Sequence, residues 1–131
     1  MKILIVEDDP VVLKPLVEFL SLEGHEVFSA LSAEKAIAIL SKNTFDIIFC
    51  DIILGGAKGT GVVHYLRQKQ DNTPLVFVTA LVSAKDKLTA LRMGATGYIE
   101  KPCSTDEIVE CIESIEKHRT IANQWLKKNK K

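Results

Sequence analysis

Residues 2–9 read KILIVEDD, and this stretch decides the fold because an apolar run passes directly into three acidic residues. A short apolar run rich in β-branched residues is typical of a strand buried on both faces of a parallel sheet. Four further segments show the same pattern, the first of them more weakly: residues 26–29, 45–50, 75–79 and 97–99. The sequence therefore predicts five strands.

Between and after these strands, apolar residues recur every three or four positions, which predicts five helices. Capping residues mark several helix ends, namely Gly24, Ser32, Gly94 and Ser104. Pro15 lies within the first helical pattern, so we expect that helix to begin near Val11 or Val12, or to be distorted in its first turns. Strict alternation of strands and helices requires a parallel sheet with right-handed crossovers and helices on both faces.

Composition limits the classes of protein that the chain can represent. Its 131 residues are 47% hydrophobic, which is enough for one domain that folds without a metal or a disulfide. The net charge is zero, but residues 117–131 hold six of the 17 basic side chains and none of the acidic ones. An acidic body argues against nucleic-acid binding, and a basic end is typical of a solubilising tail or the start of a linker.

The cysteines and the lengths of the apolar runs indicate the cellular compartment of the protein. Cys50, Cys103 and Cys111 are odd in number and lack the spacing of a metal site, which favours a reducing compartment. No apolar run reaches the roughly 20 residues that a membrane span needs. We therefore expect a cytoplasmic protein that does not bind membranes.

Polar residues follow four of the predicted strands at their carboxyl ends. They are Glu7, Asp8 and Asp9 after the first strand, Asp51 after the third, Thr79 at the end of the fourth and Lys101 after the fifth. In a parallel sheet these ends meet at one edge, where ligands bind. Clustered carboxylates repel one another unless a cation lies among them, and hard oxygen ligands suit Mg²⁺. Helix capping explains one acid but not polar groups at four strand ends, so the sequence predicts a divalent-metal site.

Asp51 differs from the other acids because it ends the most apolar strand, in the middle of the predicted sheet. A carboxylate in this position can be a metal ligand or a nucleophile that forms an acyl phosphate. The second role requires groups that hold the phosphoryl oxygens. The Lys101 ammonium and the Thr79 hydroxyl are suitable groups.

These residues, in this order, resemble the receiver domain of bacterial response regulators, which accepts a phosphoryl group from a histidine kinase. The resemblance covers about residues 1–118 and is carried by LIVEDD (4–9), FCDIIL (49–54), VFVTA (76–80) and GYIEKP (97–102). It implies a flavodoxin-like (βα)5 three-layer α/β sandwich whose five-stranded parallel sheet has the order 2-1-3-4-5. We expect the receiver domain to span residues 1–120, and residues 121–131 to form a helical extension, basic tail or linker.

The resemblance also implies a role for each residue of the site. Asp51 corresponds to the phosphoacceptor, and Mg²⁺ or Mn²⁺ would be held by Asp51, Asp8, the neighbouring Glu7 and the backbone carbonyl of Ile53. Asp9 falls one place beyond the family's acidic pair and is expected to cap the first helix. The phosphate-binding and switch residues are Lys101, Thr79, Ala80 and Tyr98, and the structural ones are Gly59 and Pro102, the latter after a cis bond.

By resemblance, the chain is a magnesium-dependent switch and not an enzyme that turns over a substrate. Its phosphodonor would be a sensor histidine kinase or a histidine phosphotransfer protein. Phosphorylation would alter the face formed by the fourth helix, fifth strand and fifth helix. That face, or the long last helix with Trp125, would contact an output domain or a second copy.

Two departures from the family pattern lead to further expectations. Ile53 and Leu81 are apolar where the family's path for attacking water lies, so we expect slow self-dephosphorylation. Four glycines among residues 55–61 predict a loop that is mobile without metal or phosphate.

Two other functions compete with this interpretation. A phosphatase of the haloacid dehalogenase type would need a second aspartate where Ile53 stands, so the sequence disfavours it. A receiver that only docks partners would be expected to lack Asp51, the acidic pair or Lys101, and all of them are present. Cys50 is adjacent to Asp51 but is expected to pack on the opposite face of its strand.

Overall fold

The computed structural model describes residues 1–54, 57–80 and 83–129. Its strands are β1 (Lys2–Val6), β2 (Glu26–Ala30), β3 (Ile47–Cys50), β4 (Ile53–Leu54), β5 (Ala57–Lys58), β6 (Leu75–Thr79) and β7 (Gly97–Glu100). Five of them form one parallel sheet in the order β2-β1-β3-β6-β7. Counted within this sheet, the order is 2-1-3-4-5, so the flavodoxin-like α/β prediction is confirmed.

β4 and β5 form a separate antiparallel hairpin beside the main sheet. The sequence analysis predicted a glycine-rich loop over residues 55–61 and did not predict these two short strands. Each strand contributes two residues, which is too short for an apolar periodicity to reveal. Gly55 and Gly56, on which the predicted loop mobility depends, lie outside the described residues.

The helices are α1 (Pro10–Leu22), α2 (Ala33–Leu40), α3 (Thr60–Gln68), α4 (Ala84–Arg92) and α5 (Thr105–Asn129). α1 begins slightly earlier than the position predicted from Pro15, because the Asp9 carboxylate caps it by accepting a 3.0 Å hydrogen bond from the Val11 N–H. Pro10 occupies the start of the helix, where a missing N–H costs nothing. Pro15 consequently lies inside α1. The predicted cap of α2 at Ser32 is present.

Apolar residues on the two faces of the sheet form two core clusters. Leu4, Ile48 and Phe77 face the cluster that includes buried residues of α2, α3 and α4. Ile3 and Phe49 face the other cluster, which buries residues of α1 and α5. Alternate residues of each strand thus enter opposite layers, which produces the three-layer sandwich.

α5 crosses one face of the sheet and continues past it. Ile108 and Ile112 pack in the core, whereas Ile121 and Trp125 near its end are 54% and 61% exposed. Asp46, just before β3, accepts a 2.7 Å hydrogen bond from the Arg119 guanidinium, which holds α5 near the amino ends of the strands. Across the described ranges, no helix combines the length and hydrophobicity required to cross a bilayer.

Candidate functional site

The fold brings the predicted polar residues to one edge of the sheet. Asp51 follows β3 and donates its backbone N–H to the carbonyl of Val6 at 3.1 Å, so it lies beside the end of β1. Lys101 follows β7 and donates its backbone N–H to the carbonyl of Thr79 at 2.8 Å. Because parallel strands place their carboxyl ends together, side chains distant in sequence meet at this edge.

Three carboxylates form the centre of the site. Glu7, Asp8 and Asp51 each offer one oxygen, and these oxygens all lie within 4.8 Å of one another. Glu7 is 5% exposed and Asp51 is 9% exposed, whereas Asp8 is at the surface. Carboxylates this close repel one another and favour a cation between them.

Lys101 supplies a positive charge to this cluster. Its Nζ lies 2.7 Å from Glu7 Oε1 and 2.8 Å from Asp51 Oδ2. Burial acts to lower the pKa of Lys101, but its hydrogen bonds to Asp51 and Glu7 outweigh burial and leave the pKa raised. The ammonium is therefore charged at neutral pH and bridges the two buried acids.

One oxygen of Glu7 distinguishes the site from a closed ion-pair network. Oε2 is buried, and it has no hydrogen-bond partner in the part of the chain that the structure describes. Burial raises the pKa of Glu7, and the attraction of Lys101 only partly offsets this effect. A buried carboxylate oxygen without a donor is costly. The oxygen donors and their spacing thus fit a hard divalent cation such as Mg²⁺ or Mn²⁺.

Backbone groups of neighbouring residues also fix the position of Asp51. Its Oδ1 accepts a 3.1 Å hydrogen bond from the backbone N–H of Ile53. Gly59, which precedes α3, approaches so closely that a Cβ there would lie 1.9 Å from the Asp51 carbonyl oxygen. Gly59 also donates its N–H to the carbonyl of Ile52. Close approach, and not an unusual backbone angle, therefore requires glycine at this position.

Cys50 packs beneath this turn, as predicted. Its side chain is 1% exposed, and its thiol lies 3.2 Å from the carbonyl oxygen of Asp51, the geometry of a weak hydrogen bond. Burial strongly raises the pKa of the thiol, and the charges of Asp51 and Glu7 raise it further. Cys50 is thus an inert packing residue.

The predicted switch residues flank the acidic centre. Thr79 is buried at the end of β6, and Ala80 follows it in an exposed position. Tyr98 in β7 is half-buried, with Lys87 Nζ of α4 lying 5.9 Å from the centre of its ring. Burial raises the pKa of Tyr98, and nearby acids add to the effect. Lys87 also pairs with Glu100.

The bond between Lys101 and Pro102 is cis, as the resemblance implied. The sequence analysis did not identify two groups of the site: the Ile53 N–H, and the Glu7 oxygen that lacks a donor among the described residues. No sequence signal marks either one, because both depend on the exact course of the backbone. The proposed ligation by the Ile53 carbonyl stays a prediction.

Comparison with known proteins places this geometry in a family. The family model described as "Response regulator receiver domain" matches residues 3–113. A probable transcriptional regulator, ycf27, of Cyanidium caldarium is 34% identical over 125 residues, covering 95% of this chain and 50% of the relative. The probable transcriptional regulator ycf29 of Porphyra purpurea is 33% identical over 128 residues, with 96% and 61% covered. The chain thus spans about half of the length of such curated relatives.

Solved structures agree with the sequence relatives. The receiver domain of the Francisella response regulator 1452 is 25% identical, with a TM-score of 0.84 over 90% of this chain and 98% of that one. A CheY-like receiver domain protein from Methanospirillum hungatei is 28% identical, with a TM-score of 0.83 over 91% and 96%. The chain therefore belongs to the response regulator receiver domains of two-component systems.

Proposed function

We propose that Asp51 accepts a phosphoryl group from the phosphohistidine of a sensor histidine kinase or a histidine phosphotransfer protein. The observation that carries this proposal is the meeting of three carboxylates within 4.8 Å and an ammonium 2.8 Å from Asp51 Oδ2. An isolated acid cluster would not need a fixed cation. An ordinary ion pair would not leave Glu7 Oε2 buried with no donor among the described residues.

The transfer uses Asp51 as a nucleophile. A carboxylate oxygen of Asp51 forms a bond to phosphorus while the bond from phosphorus to the imidazole nitrogen of the donor breaks. The nitrogen keeps the electron pair and takes a proton from solvent. The Ile53 N–H, bonded to Asp51 Oδ1, orients the carboxylate before the reaction.

A divalent cation, Mg²⁺ or Mn²⁺, would be held by Glu7, Asp8, Asp51 and the carbonyl of Ile53. When bound, it would neutralise charge on the phosphoryl oxygens. Glu7 and Asp8 would keep that charge close to Asp51.

Lys101, Thr79 and Ala80 would hold the product. Lys101 can exchange its hydrogen bond with Asp51 Oδ2 for one to a phosphoryl oxygen. The Thr79 hydroxyl would donate to another oxygen, and Ala80 would offer its backbone N–H. Movement of Thr79 would leave space for Tyr98 to turn inward and so alter the face formed by α4, β7 and α5.

The proposed reaction is a single acceptance of a phosphoryl group, so the chain is a phosphoacceptor and not a turnover enzyme. Its self-dephosphorylation would be slow, since Ile53 is 47% exposed beside Asp51 and carries no group to orient an attacking water. Leu81, the second position of this prediction, lies outside the described residues.

An output domain completes the proposal. The curated relatives are named transcriptional regulators and are up to about twice as long as the matched region, so a signal from Asp51 would act on a further domain or on a second copy. We place no nucleic-acid contact on this domain itself.

A cytoplasmic location fits the three free thiols of Cys50, Cys103 and Cys111.

The decisive experiment is intact mass spectrometry of the protein after incubation with acetyl phosphate, with and without Mg²⁺. We expect the mass to rise by one phosphoryl group when Mg²⁺ is present. Asp51→Asn should abolish the gain, and Asp8→Asn should remove most of the response to Mg²⁺.

Asp9→Asn is the matched control for these variants. Asp9 is adjacent to Asp8 but caps α1, and asparagine caps helices equally well. This variant should gain the phosphoryl group as the unchanged protein does. A folded protein that binds Mg²⁺ but gains no mass from acetyl phosphate or from phosphorylated kinases would contradict the proposal.

A further inference from the structure

Lys87 of α4 contacts two residues of the neighbouring strand β7. Its ammonium pairs with the carboxylate of Glu100 and lies 5.9 Å from the centre of the Tyr98 ring. Tyr98 and Glu100 are two positions apart in β7, so their side chains lie on the same face of the strand. One side chain of α4 therefore spans that face of β7.

Glu100, the ion-pair partner of Lys87, lies beside the proposed switch residues. It is the register partner of Thr79 on the adjacent strand β6, so the two residues are neighbours at the same end of the sheet. Glu100 also immediately precedes Lys101, whose ammonium lies 2.8 Å from Asp51 Oδ2. Lys87 thus connects α4 to the end of the strand from which the site lysine extends.

The contacts of Lys87 depend on the present position of Tyr98. The ring of Tyr98 is half-buried beside the Lys87 ammonium, and the proposed turn of the ring inward after Thr79 moves would separate the two groups. A contact made in only one of two arrangements favours that arrangement by its own free energy. Lys87 therefore opposes the arrangement in which Tyr98 has turned inward.

The size of this effect follows from the exposure of the groups. The side chains of Lys87 and Glu100 are 41% and 46% exposed, so both the ion pair and the cation–π contact are of the weak, solvated kind. Together, two such contacts change an equilibrium by about threefold to tenfold. That range is enough to change a rate measurably without deciding whether the protein folds.

We propose that Lys87 is a positioning residue, which holds α4 against Tyr98 and Glu100 and thereby restrains the phosphorylation of Asp51. This inference rests on the proposed function and adds a residue that regulates it. Lys87 does not touch Asp51 or the transferred group in this scheme. It acts by lowering the population of the arrangement that accepts the phosphoryl group.

Lys87→Met tests this role, because methionine retains much of the side-chain stem and removes the ammonium. The rate of mass gain from acetyl phosphate with Mg²⁺ is followed by intact mass spectrometry. We expect the variant to react about threefold to tenfold faster than the unchanged protein, since the rate follows the population of the competent arrangement. Loss of a positive charge would by itself attract the anionic donor less and slow the reaction, so acceleration indicates release of the restraint.

Two further variants serve as controls. Lys85→Met removes the same charge from an exposed lysine of the same helix, and it should not accelerate the reaction. Lys87→Arg can form both an ion pair and a cation–π contact, so it should react at close to the original rate. Urea unfolding should show that Lys87→Met is no more stable than the unchanged protein, although it reacts faster; a merely structural contact would lower the stability and leave the rate unchanged.

The outcomes separate this inference from the proposed function. If the unchanged protein gains a phosphoryl group and Lys87→Met gains it no faster, or if Lys85→Met is accelerated equally, Lys87 has no positioning role. If the unchanged protein gains no mass from acetyl phosphate or from phosphorylated kinases, the proposed function fails, and this inference fails with it.

Discussion

Gly59→Ala tests whether the close contact before α3 positions Asp51, the proposed phosphoacceptor. The φ of Gly59 is −68°, which alanine adopts without backbone strain. The new Cβ, however, would lie 1.9 Å from the carbonyl oxygen of Asp51, whereas ordinary van der Waals contact begins at 3.4 Å. The backbone segments around Gly59 and Asp51 must therefore separate by about 1.5 Å.

The cost of this separation can be estimated for stability and for reaction separately. Overpacking a tightly packed site by one methyl group costs about 1–3 kcal/mol of unfolding free energy. Misplacing a reacting group by about 1 Å can cost about 100-fold in rate. We expect Gly59→Ala to lower the free energy of unfolding by about 2 kcal/mol and to slow phosphorylation by acetyl phosphate about 100-fold.

Gly61→Ala is the matched control, because no atom of the described residues lies within 4 Å of a Cβ added there. It should stabilise α3 by up to about 1 kcal/mol through helix propensity and leave the phosphorylation rate unchanged. Urea unfolding followed by circular dichroism gives the stabilities, and a time course of intact mass gives the rates. A Gly59→Ala protein that is destabilised but phosphorylated at the normal rate would refute a positioning role for this contact.

Three further predictions concern stability and metal binding. Arg67, near the end of α3, donates to the backbone carbonyls of Asp71, Thr73 and Gly94. Arg67→Met removes these donors and should lower the unfolding free energy by about 2 kcal/mol, measured in urea; an unchanged midpoint would contradict this. Hydrogen bonds from the Lys2 N–H and Arg119 hold the pKa of Asp46 below its ordinary 3.8. These hydrogen bonds therefore stabilise the folded protein fully above pH 3.8. The stabilisation is lost as the pH falls through the lower pKa that Asp46 has in the folded protein. Asp46→Asn should cost up to about 1 kcal/mol at pH 7 and nothing in strong acid, whereas equal costs at both pH values would exclude the ionic contribution. Glu7→Gln should weaken Mg²⁺ binding about tenfold or more, seen as a smaller rise in melting temperature with added Mg²⁺, and an unaltered rise would remove Glu7 from the ligands.

The sheet could be predicted because each of its strands corresponds to a short apolar run in the sequence. Residues 2–6 and 75–79 were predicted with the bounds that the structure has. Glu7 ends the first run and Pro74 precedes the second, so each run has a clear boundary in the sequence. The edge strand β2 is only partly buried, and its weaker pattern follows from that exposure. The hairpin of β4 and β5 was missed because two residues carry no periodicity.

The site was predictable in its residues but not in its contacts. Polar groups at strand ends must share an edge once the sheet is parallel, and this argument placed Glu7, Asp51 and Lys101 together. Two contacts depend on exact backbone paths: the 1.9 Å approach that a Cβ added at Gly59 would make to Asp51, and the lack of a donor to Glu7 Oε2 among the described residues. Sequence patterns record which residues are buried, but not which atoms they meet.

The electrostatics of the site explain how a stable fold can contain a reactive centre. Glu7 and Asp51 at the strand ends share the ammonium of Lys101. Breaking a buried pair leaves an uncompensated charge, so Lys101 is held in place while the site contains no phosphoryl group. A phosphoryl group on Asp51 would add oxygens that compete for the same ammonium. Lys101 would then leave Glu7 partly unpaired unless a cation remained beside it, and the proposed metal would therefore support both phosphoryl transfer and the stability of the phosphorylated state.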